Sequence, residues 1–188
     1  MQSFRSSTLI EVKSMMFLRA WLFLATGGAF IAGVWLVSEA LTFESKYALL
    51  YLGVGLMAIV YGLITFFMAF PAFTSRGNVI FSVKTGPDGE IFSRKRSARF
   101  PEIKRIYMGR HRFSLKGIFF EDIIIEKTDG KVVRIPTWNI IANPLFFEAV
   151  ERYILPHLNE EAKRNWISQF TEIQRNAYLK EFENNPKL

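Results

Sequence analysis

Residues 20–38 read AWLFLATGGAFIAGVWLVS, and residues 47–75 read YALLYLGVGLMAIVYGLITFFMAFPAFTS. These runs of 19 and 29 residues carry no charged side chain, and only eight residues separate them. A helix rises about 1.5 Å per residue, so roughly 20 residues cross a hydrocarbon core about 30 Å thick. Neither run alternates apolar and polar positions as a half-buried strand does, and neither has the charged face of a soluble amphipathic helix. The pattern predicts a membrane hairpin: spans over 17–38 and 47–70, joined by a turn from Glu39 to Lys46, with a folded domain after Arg76.

Ala25, Ala29 and Gly33 recur every fourth residue in the first run, and Ala58 and Gly62 in the second. Small residues at that spacing let helix backbones approach closely in lipid. The plainer reading is that the two spans pack on each other; the alternative is a dimerisation seam. Trp21, Trp35, Tyr47 and Tyr51 stand near the span ends, where amphipathic rings suit the headgroup layer. Neither interior holds an ionisable group, which argues against a proton or ion pathway. Ser38-Glu39-Ala40 has the small-x-small form of a cleavage site, but the apolar run before it is longer than the usual 7–15-residue signal core. Before the first span Arg5, Lys13 and Arg19 outnumber Glu11, while the turn has Glu39 and Glu44 against Lys46. That bias predicts a multi-pass protein of the cell membrane with both termini cytoplasmic.

The chain has 188 residues and a net charge of +7, and from Arg76 onward it holds 20 basic and 14 acidic residues. A basic domain suits nucleic acid, anionic lipid or a cytoplasmic domain obeying the charge bias. With no cysteine, a disulfide framework and a thiolate zinc site are excluded.

After the spans, Asn78 to Ser93 reads as a strand hairpin around Gly86-Pro87-Asp88-Gly89. Residues 103–108 read as a strand or as one helical turn leading into one. Phe113 to Leu115 is a short strand candidate, Ile118 to Glu126 a longer one, and Lys131 to Ile135 its return across Thr128-Asp129-Gly130. Asn143-Pro144 starts a helix, with asparagine as its cap, and Phe146, Val150 and Ile154 lie on its apolar face. Residues 159–184 carry a second helical stripe, Trp166, Phe170, Ile173 and Ala177. The expected organisation is a lead-in and hairpin over 1–75, a domain over 76–158 and an amphipathic helix over 159–188. The lead-in is read as polar, with one interfacial helical turn.

The strand hairpin over Asn78 to Ser93, the Phe100-Pro101-Glu102-Ile103-Lys104-Arg105-Ile106 segment, the strands of Ile118 to Ile135 and the helix from Asn143 to Leu155 carry a resemblance. The chain resembles small bacterial two-span membrane proteins with a C-terminal pleckstrin-homology-like domain. The resemblance implies an α+β fold, an antiparallel sheet or partly open barrel with C-terminal helices, and it implies no catalytic residue.

The two histidines, His111 and His157, have no carboxylate or second histidine at ligand spacing. Glu121-Asp122 is read as pairing across the sheet with Arg134 or Lys116. No nucleophile elbow, phosphate loop or zinc-protease pattern occurs. The expectation is therefore a protein that is not an enzyme, with no cofactor and no metal. One feature invites a functional reading: Arg94 to Lys116 holds nine basic residues and one acidic one. Arg94, Lys95, Arg96, Arg99, Lys104, Arg105, Arg110 and Arg112 are the candidate contacts to anionic lipid; the plainer alternative is a solvated, membrane-proximal face. Nucleic acid is not expected, because aromatics between these cations are few. The functional expectation is a membrane-anchored binding or scaffold module that recruits a protein partner or assembles with itself. An anionic-headgroup sensor and an immunity-type regulator are the alternatives.

Overall fold

The computed structural model describes residues 8–86, 88–111 and 114–170. It divides into two compact units: Met15–Asn78, and a domain built from the described residues up to Ser14 together with those from Val79 onward. Each is described by itself.

The first unit is a pair of long helices, α1 (Met16–Ala40) and α2 (Ala48–Phe73). At about 1.5 Å per residue, each is long enough to cross a membrane, and each is apolar enough to do so. The helices meet through small residues. Thr26, Gly33 and Ala40 are buried on α1, and Gly55, Gly62, Thr65, Ala69 and Ala72 on α2. A Cβ added to Gly33 would lie 2.7 Å from the Gly55 carbonyl oxygen and 2.7 Å from the Ile59 amide nitrogen. Gly33 and Gly62 therefore serve the contact within the hairpin, whereas Ala25 is exposed. The Thr26 and Thr65 hydroxyls donate to carbonyls one turn back, Leu22 at 2.8 Å and Tyr61 at 2.6 Å, which satisfies them without water. Pro71 lies inside α2 rather than closing it. The Thr74 hydroxyl donates to the Pro71 carbonyl (2.8 Å), and the Arg19 guanidinium donates to the Thr74 carbonyl (3.1 Å), so the last turn keeps partners beyond the proline.

The second unit holds two antiparallel sheets and C-terminal helices. Sheet A has the order β1-β2-β3-β4, with β1 (Leu9–Lys13), β2 (Val79–Lys84), β3 (Glu90–Ser93) and β4 (Arg96–Arg99). Sheet B has the order β5-β6-β7, with β5 (Ile103–Gly109), β6 (Asp122–Lys127) and β7 (Val132–Pro136). A short helix α3 (Leu115–Phe119) precedes β6; α4 (Asn143–Ala149) and α5 (Glu160–Ile167) follow the sheets. Ile80, Phe81, Val83 and Ile91 from sheet A meet Ile103, Ile106, Ile123, Ile125 and Ile135 from sheet B in the core. Phe146, Val150, Ile154 and Trp166 close it.

Several sequence expectations change here. The lead-in is not an interfacial helical turn over 9–13. Those residues form β1, whose partners run from Leu9 opposite Lys84 to Lys13 opposite Val79. The β-branched and apolar positions Ile10 and Val12 alternate with Glu11 and Lys13, a period of two that suits an edge strand. The unit that holds the sheets thus begins before the helices and not at residue 76. Segment 103–108 is a strand. The strand expected at Phe113 to Leu115 is absent at Leu115, which opens α3; residues 112 and 113 lie outside the described residues. Ile118 and Phe119 belong to α3, and β6 starts at Asp122, because the Ser114 side chain accepts the Gly117 amide (3.0 Å) and caps a helical turn. Asn143 is the first helical residue and Ala142 the cap, without a side-chain bond. The helix does not run evenly to Leu155: it widens to a π turn over Val150–Ile154 and tightens over Leu155–His157 around Pro156. The second helix is observed as α5, capped by the Asn159 side chain on the Ala162 amide (2.8 Å); Ile173 and Ala177 lie outside the described residues.

Candidate functional site

The eight cations singled out above do not converge on one point. Arg94 and Lys95 form the turn between β3 and β4, and Arg96 opens β4; all three side chains are exposed. Arg99 stands opposite Glu90 in the β3–β4 register. Lys104 pairs with Glu161 on α5 (3.7 Å) and Arg110 with Glu121 (3.5 Å). Arg105 lies over the Tyr107 ring, 4.9 Å from its centroid. Arg112 is outside the described residues. The scatter has a simple cause: β4 and β5 belong to different sheets, and successive strand residues face opposite ways. What remains contiguous is the tip Arg94-Lys95-Arg96.

That tip has a floor the sequence did not announce. Arg94 and Lys116 both lie 5.4 Å from the centroid of the Trp138 ring. Lys116 also holds Asp122 at 3.0 Å, the cross-strand carboxylate pairing expected for that lysine. Trp138 and Asn139 both take positive φ, 49° and 57°, a conformation that costs non-glycine residues roughly 1–3 kcal/mol. Side-chain bonds hold the turn there. The Asn139 side chain accepts the Glu121 amide (2.9 Å) and donates to the Phe119 carbonyl (3.0 Å), while the Thr137 hydroxyl donates to the Glu121 carbonyl (2.6 Å). The Arg96 guanidinium donates to the Arg134 carbonyl, tying β4 to β7.

A second feature is a cleft of about 420 Å³ lined by Tyr107, Met108, Glu121, Asn143, Phe147, Gln169 and Phe170. β5, α4 and the end of the α5 region supply its walls. Phe147 and Phe170 meet edge to face at 5.0 Å, and each also contacts Trp166. The Tyr107 phenol donates to Glu126 at 3.0 Å. Burial first, and then the Glu126 carboxylate, raise its pKa above the ordinary 10.0, so it stays a donor at neutral pH.

The cleft lies on an open sheet edge. Lys127 donates its amide to the Lys131 carbonyl (2.8 Å), so the odd-numbered residues of β6 bond toward β7 and the even ones toward β5. Tyr107, opposite Ile124, therefore bonds inward; Ile106 and Met108, opposite Ile125 and Ile123, turn their amide and carbonyl outward. Side-chain amides cover the first half of that edge: Asn159 donates to Ile103 (3.4 Å), Asn165 to Lys104 (3.0 Å) and Gln169 to Ile106 (3.1 Å). At Met108 no described residue does the same.

The histidines make no metal site with neighbours: among the described residues no group of three or more His, Asp or Glu side chains could hold an ion. His157 stacks on Phe100 at 5.4 Å.

Comparison with known proteins gives relatives but no described activity. A profile described as "Family of unknown function (DUF5381)" matches residues 8–176. A Bacillus subtilis (strain 168) protein named "Uncharacterized protein YfjE" is 85% identical over 152 residues, 81% of this chain and 100% of the relative. Another from the same strain, named "Uncharacterized lipoprotein YfjD", is 60% identical over 184 residues, 98% of this chain and 100% of the relative. No solved structure gives a significant match.

Proposed function

We propose that this chain, which belongs to the family of unknown function DUF5381, is a binding module held at a membrane by a hairpin inserted into its own fold. The observation that carries the reading is the β1–β2 pairing. These strands flank the hairpin in sequence, yet bond to each other from Leu9–Lys84 to Lys13–Val79. Strands that share hydrogen bonds lie on one side of a membrane, so the chain between them crosses it twice or not at all. The helices favour two crossings: Ile31, Leu49, Met57 and Phe67 are each more than two-thirds exposed on the hairpin, a surface suited to lipid.

The relative's name, lipoprotein, fits membrane association. This chain has no cysteine, so a cysteine-linked acyl chain has no attachment point in it, and the hairpin is the candidate anchor. Cleavage at Ser38-Glu39-Ala40 would separate β1 from the rest of sheet A. The flanking lysines and arginines favour the cytoplasmic side for the domain. Four strands in one sheet, three in the other and closing helices support the pleckstrin-homology-like reading, with the hairpin as an insertion between its first two strands. On this reading the domain recruits a protein partner or assembles with itself. Anionic lipid contact at Arg94-Lys95-Arg96 is the second reading, favoured by three contiguous exposed cations at one turn.

Single cysteines at Thr8, Thr42 and Asp129 test the anchoring. With an impermeant thiol reagent on intact cells, T42C should label while T8C and D129C are protected until the cells are opened. Opposite behaviour of T8C and D129C overturns the inserted-hairpin reading.

A further inference from the structure

We infer that the cleft beside β5 takes an extended peptide segment of a protein partner, added as a short strand at Met108. This rests on the binding-module reading and specifies its site. Three observations converge on it. The Met108 amide and carbonyl turn outward, while the Asn159, Asn165 and Gln169 side chains cover the same edge only as far as Ile106. An open edge residue pairs with one residue of an incoming strand through two backbone bonds. The cleft opens at that residue, and Phe147 and Phe170 line it beside Met108. Its volume of about 420 Å³ admits one or two large apolar side chains of such a segment.

Charge selects among segments. Lys104 and Arg110 on and beside β5 already face carboxylates, Glu161 and Glu121. Arg105 has no carboxylate within 4.0 Å among the described residues and lies on the Tyr107 ring instead. Along a strand, alternate residues share a face and lie about 6.6 Å apart. The occupant that fits is therefore an extended segment with an apolar anchor in the cleft and an acidic residue spaced to reach Arg105.

The test uses the full chain in detergent micelles and a phage-displayed library of linear nine-residue peptides. Selected sequences should share an apolar residue flanked by Asp or Glu. Addition of the synthetic consensus peptide should slow amide exchange at Met108 by at least about tenfold, the effect of one gained hydrogen bond. N-methylation of the peptide at the residue paired with Met108 should weaken binding about tenfold while leaving every side chain in place. F147A should weaken it further; the N-methyl arm stands even where that variant folds poorly. A helical consensus, protection of the Arg94–Arg96 tip in place of Met108, or no selected peptide overturns the inference. So does exchange protection at Met108 without peptide that grows with protein concentration, which assigns the edge to a second copy. Failure here with T8C and D129C labelling on one side leaves the anchored-module reading standing; opposite labelling removes that reading by itself.

Discussion

The hairpin and the sheet domain are both rich in apolar residues, and they bury opposite kinds. In the hairpin the buried positions are small, Gly33, Gly55, Gly62 and Ala69, while Leu49, Met57 and Phe67 point outward. In the domain the buried positions are large: Phe81, Phe146, Trp166 and a row of isoleucines. Water drives large apolar groups inward, at about 25 cal/mol per Å². Lipid offers no such drive, and helices associate there through close backbone packing. The contrast teaches that one chain is folded for two solvents, and that the same substitution chemistry should act in opposite senses in its two parts.

The largest expected effect is loss of a large buried group from the domain. Phe146 is fully buried against Trp166, with ring centroids 6.1 Å apart. Phe146→Ala should cost about 3–5 kcal/mol, read as a shift of the domain's denaturant midpoint. An unchanged midpoint would mean that α4 does not dock where it is described. The complementary experiment enlarges a buried group in the hairpin. Gly33→Leu should destabilise the helix pair by about 1–3 kcal/mol, because the new side chain meets the Gly55 and Ile59 backbone. Gly28→Leu has nothing within 4 Å of its Cβ and should be nearly neutral. Unfolding in mixed detergent micelles distinguishes the two, and equal effects would break the comparison. The smallest effect concerns the domain surface. Replacing Arg94, Lys95 and Arg96 with glutamine should lower binding to anionic liposomes by about 1 kcal/mol per residue at low salt, and by less as salt screens them. Core stability should not move. Salt-insensitive binding to one lipid headgroup would replace a diffuse surface by a defined pocket.

Much of this fold is local, and so it is legible in the chain. Two uncharged runs longer than 18 residues announce the helices whatever surrounds them. Thr128-Asp129-Gly130 announces a hairpin because Gly130, at φ +81°, takes the conformation its lack of a Cβ allows. Phe146, Val150 and Ile154 announce a docked helix by their spacing. The candidate site was legible only as a stretch of cations, since charge density is a property of sequence and convergence is not.

What the sequence by itself determined is therefore the set of elements, the hairpin's length and apolarity, and the tight turns, each resting on contacts a few residues apart. Only the tertiary structure decided what depends on distant partners. It paired Leu9–Lys13 with Val79–Lys84 across more than sixty intervening residues, making the lead-in an edge strand. It sent the cations of β4 and β5 into different sheets and set Trp138 beneath Arg94 and Lys116. It also covered β5 with amides as far as Ile106 and left Met108 open. A five-residue strand has too few apolar positions to declare itself, and an edge is open or covered only relative to what packs beside it.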